Sequence, residues 1–569
     1  MLVAYNLGSG PDEKGIFSVK VFEALARAFA AEGTTAVFGM MGDANMYWMN
    51  ELDKLGVRQF EVRHEGAGLA MADGWGRIDG NPGVCTTTSG PGVAQLATTL
   101  LVASRARTPM VAFVGEAPLG DDSYVQRLDQ KRFAEACEAG FVHLTKAENA
   151  YEAVQTAFYR ARTESRPVLL SAPMDIQQQG FDDEEEYVPS ARLLATTEPP
   201  YPNPKSVAAA ADVIANSERP VIIVGRGAIR AGAGPAVLEL AENVGAIIAT
   251  TLMAKTWLSD EDEFHVGISG LYSTRTAMEL FQEADCVIAV GAGLNKYTTE
   301  HGYLYPGATF VQVDAKQHVV MGDGRAADVF VHADANIGVQ ELHRVLTERG
   351  VRRVGYRTPA VKERLSTAFD DNQPYDLEPG TLDPRDICRL LDDRIPPEIG
   401  LIIGGGQNIC FSTILMTKKR RLILANQHFG CIGQGVTTAI GAVIATEDKP
   451  AFLMEGDAGF MMHLAEFETA VRYRLPLLVV LFNDQLLGAE YHKSVVKGLN
   501  AELARIPTPD LGAVGRALGG RGSLATTLDQ LRAAVDEFVA DPAPTIIDAR
   551  ISPTVISIPY RRLHFGQDA

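Results

Sequence analysis

The chain has 569 residues, 46% hydrophobic and 22% charged, and its 52 Lys and Arg against 71 Asp and Glu give a net charge of −19. At about 100–200 residues per domain, this length predicts three to four domains, each able to bury its own core. So acidic a chain argues against a nucleic-acid or anionic-membrane partner, and its 7% aromatic content excludes a disordered profile. The first extended runs are predicted at 34–41, 59–65, 83–88, 109–115 and 167–172, after a helix over 19–32 with Val21, Phe22, Leu25, Ala28 and Phe29 on one face. The middle third repeats the rhythm at 220–224, 246–250, 286–290, 309–313 and 329–332, and the last third at 401–404, 422–425, 451–455, 477–482 and 545–549. Apolar runs alternating with amphipathic helices predict an α/β fold of three doubly wound parallel-sheet domains.

Two polar stretches punctuate the series. Residues 181–205 carry the acidic run 182–186, which reads as a solvated connector, and 352–380 are charged and mostly without strands. Taken as linkers, they place the domains at 1–185, 200–350 and 375–569. The longest apolar run, 475–482, is far short of the about 18–20 residues of a membrane span. Residues 1–15 lack a basic start followed by an apolar stretch, so no secretory signal is expected. Six cysteines without a CxxC pair read as buried, reduced thiols, which suits a cytoplasmic protein.

The sharpest motif lies in the last third. The run 451–455 leads into Gly456, Asp457, Ala458, Gly459 and Phe460, then a helix over about 461–473, then the run 477–482 ending in Asn483 and Asp484. Both aspartates fall at the C-terminal ends of strands, where ligands of open α/β sheets bind. Asp457 precedes a helix whose free N–H groups favour an anion, so a phosphate bridged by Mg²⁺ fits there. Solvated carboxylates at strand ends would fit the same residues.

Gly456 and Asp457, with a second acid 27 positions after Asp457, resemble the metal and diphosphate motif of thiamine-diphosphate (ThDP) enzymes. The superfamily is that of acetolactate synthases, benzoylformate decarboxylases and 2-hydroxyacyl-CoA lyases. The resemblance implies Asp457, Asp484 and the main-chain carbonyl of Leu486 as Mg²⁺ ligands, with Gly456, Ala458, Gly459 and Gly488 beside the cofactor. Two positions depart from the pattern: Ala458 replaces a usual glycine, and Asp484 stands where an asparagine is usual. The extra charge should strengthen the dependence on a divalent ion while opposing the diphosphate.

A second stretch, Arg63, His64, Glu65, Gly66, Ala67 and Gly68 with 71–77, resembles the segment that carries the family's activating glutamate, here Glu65. Its carboxylate would hydrogen-bond the pyrimidine N1′, favour the imino tautomer and let the 4′-nitrogen take the proton from thiazolium C2. Read alone, Glu65 would equally suit a structural ion pair. Residues 87–92, including Gly90, resemble the glycine turn on the pyrimidine side, and 404–408, including Gln407 and Asn408, a diphosphate-contacting turn. Cys431 and Ile432 sit where the family holds the cofactor bent with a large apolar residue, though Ile432 also suits plain core packing. The resemblance implies that the activating glutamate and the diphosphate motif meet across a subunit interface. The minimal active unit would be a homodimer, within a homotetramer.

Residues on the substrate side bear on the reaction. Asp43 lies where 2-keto acid decarboxylases carry an aspartate. Glu490 lies near a catalytic glutamate of pyruvate-decarboxylase-type enzymes and some acyl-CoA lyases, and could shuttle a proton. Gln130 matches a polar contact of acetolactate synthases and acyl-CoA lyases, and His428 and His492 are further candidates for substrate contact, though each also suits a structural or solvated role. The middle third lacks the FAD-binding stretch of acetolactate synthases, so FAD is not expected. Its 225–228 and 291–296 are closer to acyl-CoA lyases, with Arg226 and Arg230 as candidate contacts for a CoA phosphate. These features predict a ThDP- and Mg²⁺-dependent carbon–carbon lyase or ligase, 2-hydroxyacyl-CoA lyase-like first. Its partner would be a small 2-hydroxyacyl or 2-keto substrate, with a CoA ester as one option. An acetolactate-synthase-like carboligase or a 2-keto acid decarboxylase is the alternative; from another class, a non-catalytic ThDP-fold regulatory subunit.

Overall fold

The computed structural model describes residues 18–184, 186–195, 198–317, 326–407 and 409–566. Met1–Ala195 and Thr196–Ala569 are two compact units, the second holding two of the three main sheets. No described helix is long and apolar enough to cross a membrane.

In the first unit a six-stranded sheet runs in the order Arg58–Glu61, Ala36–Gly39, Gly83–Thr87, Met110–Glu116, Pro167–Pro173, Gly140–His143, and every pairing is parallel. Numbered along the chain, that is 2-1-3-4-6-5. The predicted helix begins later, at Val21–Ala31, because Val19 and Lys20 belong to a short strand, Ser18–Lys20, antiparallel to Gly180–Asp182. Its five expected core residues are all buried, each contributing about 1.5–3 kcal/mol if large and apolar.

The predicted linker 181–205 is tied down at its start. Phe181 is buried, and Asp183 takes both Arg27 and the Tyr151 hydroxyl. Further on, the Ser190 N–H and the Tyr187 hydroxyl each donate to Glu32 at 2.6 Å. Aromatic residues scattered among the charges give this stretch an anchor that its average polarity hides.

The second unit carries two sheets, again with all pairings parallel. The first runs His265–Ile268, Ile247–Thr250, Pro220–Val224, Cys286–Val290, Thr309–Asp314, Val329–His332, which is the order 3-2-1-4-5-6. The other runs Ile423–Ala425, Gly400–Ile403, Ala451–Gly456, Leu477–Asn483, Thr545–Arg550, Arg521–Ala525, repeating the 2-1-3-4-6-5 order of the first unit. Three doubly wound parallel sheets are therefore present, two sharing one topology. The stretch 352–380 holds a helix, Pro359–Ser366, and Tyr356 donates its hydroxyl to the Leu280 carbonyl at 2.6 Å, so it packs rather than merely connecting. Five of the six cysteines are buried, Cys431 is partly exposed, and none forms a disulfide.

Candidate active site

In the last sheet the order of strand addition reverses between the parallel strands Gly400–Ile403 and Ala451–Gly456, and loops leaving the two strands open a crevice there. Gly404–Gln407 follow the first strand and Asp457 the second. Asp457 does not precede its helix, as the sequence suggested, but begins it. A six-residue helix, Asp457–Met462, breaks at His463, and a second, Ala465–Arg472, follows. Asp484 comes straight after the neighbouring strand Leu477–Asn483.

Asp457 and Asp484 are 1% and 7% exposed. Burial pushes the Asp457 carboxyl up to about 7; burial and then the charge of Asp457 push Asp484 up to about 8. The Asp484 carboxylate accepts the Leu486 N–H at 3.0 Å. Gln485 between them has φ +59°, a left-handed kink uncommon for a residue with a side chain, and it swings Leu486 back toward the aspartates. The bridge joining this segment to Arg505 uses the Leu487 N–H and the Gln485 carbonyl, which leaves the Leu486 carbonyl uncommitted to it.

Asp457 and Leu486 border a cavity of about 360 Å³, within the range of small-molecule sites. Gly405, Gly406 and Gln407 line it, as do Ile432, 456–459 and 486–490, so most of the predicted cofactor residues come together. Among them Gln407 is buried, with no hydrogen-bond partner for its Oε1 among the described residues. Gly488 is glycine for lack of room: a Cβ there would lie 2.8 Å from Asp484 Oδ2. Gly459 likewise faces Glu455. Asn408 lies outside the described residues. Glu490 stands at the mouth, its side chain 57% exposed and 3.4 Å from Lys493. Tyr560, Leu563 and His564, on the helix Ile558–Phe565, form another wall.

Several groups went unnoticed in the sequence. Glu455, 1% exposed, is pushed up to about 7 by burial, opposed by the amides of Gly433, Gly435 and Val436. Its carboxylate fills the space beside Gly404, Gly435 and Gly459, fixing the turns around the cavity. A charge ending the apolar run 451–454 was its only signal. Asn483 donates to Asp548 at 2.8 Å and to the Thr508 hydroxyl at 2.9 Å, and that hydroxyl also reaches Asp457 Oδ2 at 3.5 Å. Tyr272 reaches the cavity from the middle sheet, with no signal in sequence.

In the first unit, Glu65 is the first residue of the helix Glu65–Asp79, capped by His64, whose Nδ1 accepts the Gly66 N–H. It is partly exposed. A Cβ on Gly92 would lie 3.4 Å from Glu65 Oε1 and 2.1 Å from Thr87 Oγ1, so the 87–92 turn closes directly over the glutamate. Gly90, at φ +56°, presses against the Gln126 carbonyl. Asp43 is exposed in the turn after Ala36–Gly39, at this sheet's own reversal point, and neighbouring Gly42 abuts Thr88. Gln130 is buried, donating to the Gly115 carbonyl at 2.7 Å and accepting from Ser171 at 2.9 Å, so both ends of its amide serve the sheet.

The remaining candidates divide between packing and surface. His492 is 4% exposed among Tyr491, Tyr560 and Phe565, and burial holds its imidazole down to about 4. His428 and Cys431 sit partly exposed in the turn after Ile423–Ala425. The 225–228 and 291–296 turns lean on each other: Gly227 donates to the Gly291 carbonyl at 3.0 Å, and a Cβ on Gly225 would lie 2.3 Å from that oxygen. Backbone contact accounts for these glycines without a CoA ester. Arg226 is partly exposed and Arg230 exposed.

Three family descriptions match in order along the chain. They are the thiamine pyrophosphate enzyme N-terminal TPP binding domain over 19–133, the central domain over 207–342 and the C-terminal TPP binding domain over 404–549. The chain belongs to the thiamine pyrophosphate enzymes. It is 27% identical over 547 residues to a probable acetolactate synthase large subunit of Methanocaldococcus jannaschii, covering 94% of this chain and 92% of that protein. To the acetolactate synthase large subunit of Parasynechococcus marenigrum it is 29% identical over 565 residues, 96% and 90%. To a sulfoacetaldehyde acetyltransferase of Castellaniella defragrans it is 26% identical over 596 residues, 96% of each.

The site fits what such an enzyme must bind. Asp457 Oδ1 is buried with no hydrogen-bond partner among the described residues, beside a second buried carboxylate and an uncommitted carbonyl. That is an all-oxygen donor set of the kind a magnesium ion takes, next to a cavity able to hold the diphosphate.

Proposed function

We propose that the protein is a ThDP- and Mg²⁺-dependent carboligase that transfers the acyl unit of a 2-keto acid to a second small acceptor. The observation that carries this reading is similarity over nearly the whole chain to acetolactate synthases and sulfoacetaldehyde acetyltransferases. It favours carboligation over the 2-hydroxyacyl-CoA lyase chemistry that Glu490 and the central turns suggested.

When bound, ThDP supplies a thiazolium carbon that adds to a carbonyl and takes up the charge left when the adjacent C–C bond breaks. The chain's own residues do the rest. Asp457, Asp484 and the Leu486 carbonyl hold the metal, and Gly456, Gly459 and Gly488 keep side chains out of the diphosphate's path. Ile432 packs against the cofactor from the cavity wall. Glu65 holds the proton at the pyrimidine N1′. Glu490, at the mouth, passes a proton to and from the substrate oxygen. Asp43 contacts substrate from the first unit, and Gln130 is a positioning residue there. The active assembly is a homodimer or a higher homo-oligomer.

The test is a product screen with pyruvate alone, with pyruvate plus 2-ketobutyrate or sulfoacetaldehyde as the carbonyl acceptor, and with 2-hydroxyacyl-CoA esters, each with and without FAD. Acetyl transfer from pyruvate without FAD is expected. Cleavage of the CoA esters with no product from pyruvate would overturn the reading. So would carbon–carbon bond formation undiminished in Glu65→Gln, because the proton on N1′ would then be held elsewhere.

A further inference from the structure

A second cavity, of about 190 Å³, lies in the second unit between the middle sheet and the helix Ile409–Leu415. It exceeds the about 30 Å³ share of a single water. Lys255 lines it at 7% exposure and spends one ammonium N–H on the Met416 carbonyl. No carboxylate lies within ion-pair distance of its Nζ among the described residues. The nearest acid to influence it, Asp392, is already taken by the N–H groups of Thr417 and Lys418 and by Arg420. A buried cation is costly unless an anion accompanies it.

Two further polar side chains in the wall, His265 and Thr413, offer donors. The Gly267 N–H donates to His265 Nδ1 at 3.3 Å, which leaves the ring proton on Nε2, and that nitrogen is buried with no partner. Burial and the Lys255 charge hold the imidazole down to about 4, so it stays in this tautomer at neutral pH. Thr413, 1% exposed, has no hydrogen-bond partner for its hydroxyl among the described residues. Thr256 and Leu258, at φ +59° and +74°, hold the Lys255 loop in a left-handed conformation costly for a β-branched residue, the kind of strain kept at binding sites. Asp260, at the exposed rim, is the one carboxylate lining the cavity, where solvent screens it.

We propose that this cavity is a binding site for a small oxyanion, held by the Lys255 ammonium, the His265 Nε2–H and the Thr413 hydroxyl. Phosphate, sulfate and a short carboxylate share the required chemistry. The site adjoins the cofactor cavity: Tyr272 lines both, and Thr413 shares its helix with Cys410, which lines the other. An anion here would brace that common wall.

The test is calorimetric titration of inorganic phosphate, sulfate and acetate into the full chain, with and without saturating ThDP and Mg²⁺, at constant ionic strength in chloride. One saturable site per chain that persists with ThDP bound is expected. It should weaken at least tenfold in Lys255→Met and severalfold in Thr413→Val, a near-isosteric change that decides the matter should Lys255→Met fail to fold. Tighter binding of phosphate and sulfate than acetate supports a tetrahedral ligand, and the reverse order a carboxylate. No saturable binding, binding lost on loading ThDP, or binding unchanged in Thr413→Val would overturn the proposal.

Discussion

The helix Ile558–Phe565 walls the cofactor cavity, yet eight residues are too few for a helix to hold alone in water. What pins it is Arg561. Its guanidinium makes two 3.1 Å hydrogen bonds to the Asp371 carboxylate and reaches the Ile556 carbonyl at 3.0 Å and the Tyr375 hydroxyl at 3.1 Å. The two side chains of the ion pair are 3% and 4% exposed. Removing one partner of a buried pair costs about 3–5 kcal/mol. Arg561→Met should fall at the low end, about 3 kcal/mol, because Asp371 keeps Arg385 at 3.4 Å. At about 1.4 kcal/mol per decade, local opening of this helix becomes on the order of 10²-fold more frequent. Hydrogen–deuterium exchange reads this directly: amides of 558–565 should lose about two decades of protection while those of the central strand Leu477–Asn483 keep theirs. Unchanged protection of the helix, or a uniform loss across the second unit, would refute the view that this ion pair pins the wall locally.

Other consequences follow from the same geometry. Glu490→Gln should leave ThDP affinity unchanged, since its side chain is exposed and pairs only loosely with Lys493, but lower turnover about 10²-fold or more; equal steady-state rates would remove it from the chemistry. In Gly488→Ala the new methyl meets Asp484 Oδ2 at 2.8 Å and Gln407 Oε1 at 3.4 Å, so the ThDP Kd should rise about tenfold or more, an overpacking cost of about 1–3 kcal/mol; an unchanged titration would show that the site gives way. His492 sets an acid limit. Held at about 4 in the fold against 6.5 free, it contributes stability in full above about pH 6.5 and loses it as pH falls through about 4, a total of about 3 kcal/mol. Urea unfolding between pH 7 and 4 should therefore fall less steeply in His492→Phe, and parallel slopes would contradict the assignment.

The interior strands were legible because a strand buried on both faces of a parallel sheet is an unbroken apolar run. Pro220–Val224 and Cys286–Val290 match to the residue. Each sheet also has a sixth strand that gave no such signal: Gly140–His143, His265–Ile268 and Arg521–Ala525. All three are edge strands, paired on one side only, and they carry glycine, histidine, arginine or serine where an interior strand would carry valine or isoleucine. Nor could the runs reveal that the middle sheet is ordered 3-2-1-4-5-6 and the others 2-1-3-4-6-5. Order depends on which way each crossover turns, and the strand residues do not record that.

The same division holds at the site. Asp457 and Asp484 stood out because each follows an apolar run at a strand end, and Leu486 was named only through the family resemblance, whereas Glu455 and Tyr272 matter through contacts with residues far along the chain. Asn483 and Asp484 show how local geometry sorts two adjacent polar residues. Asn483, the last residue of its strand, turns to Asp548 and to Thr508, which also reaches Asp457, while Asp484 beyond the strand falls beside Gly488. Past the kink at Gln485, Leu486 donates its N–H to Asp484 and lines the cavity together with Asp457. Aspartate and asparagine differ little in shape, so Asp484 keeps the arrangement that the resemblance implies and changes its charge. Two buried carboxylates that each raise the other's cost of ionising need a cation more than one would. The departure therefore lies in electrostatics rather than architecture, and in the proposed site it would tie the hold on a diphosphate more closely to a divalent ion.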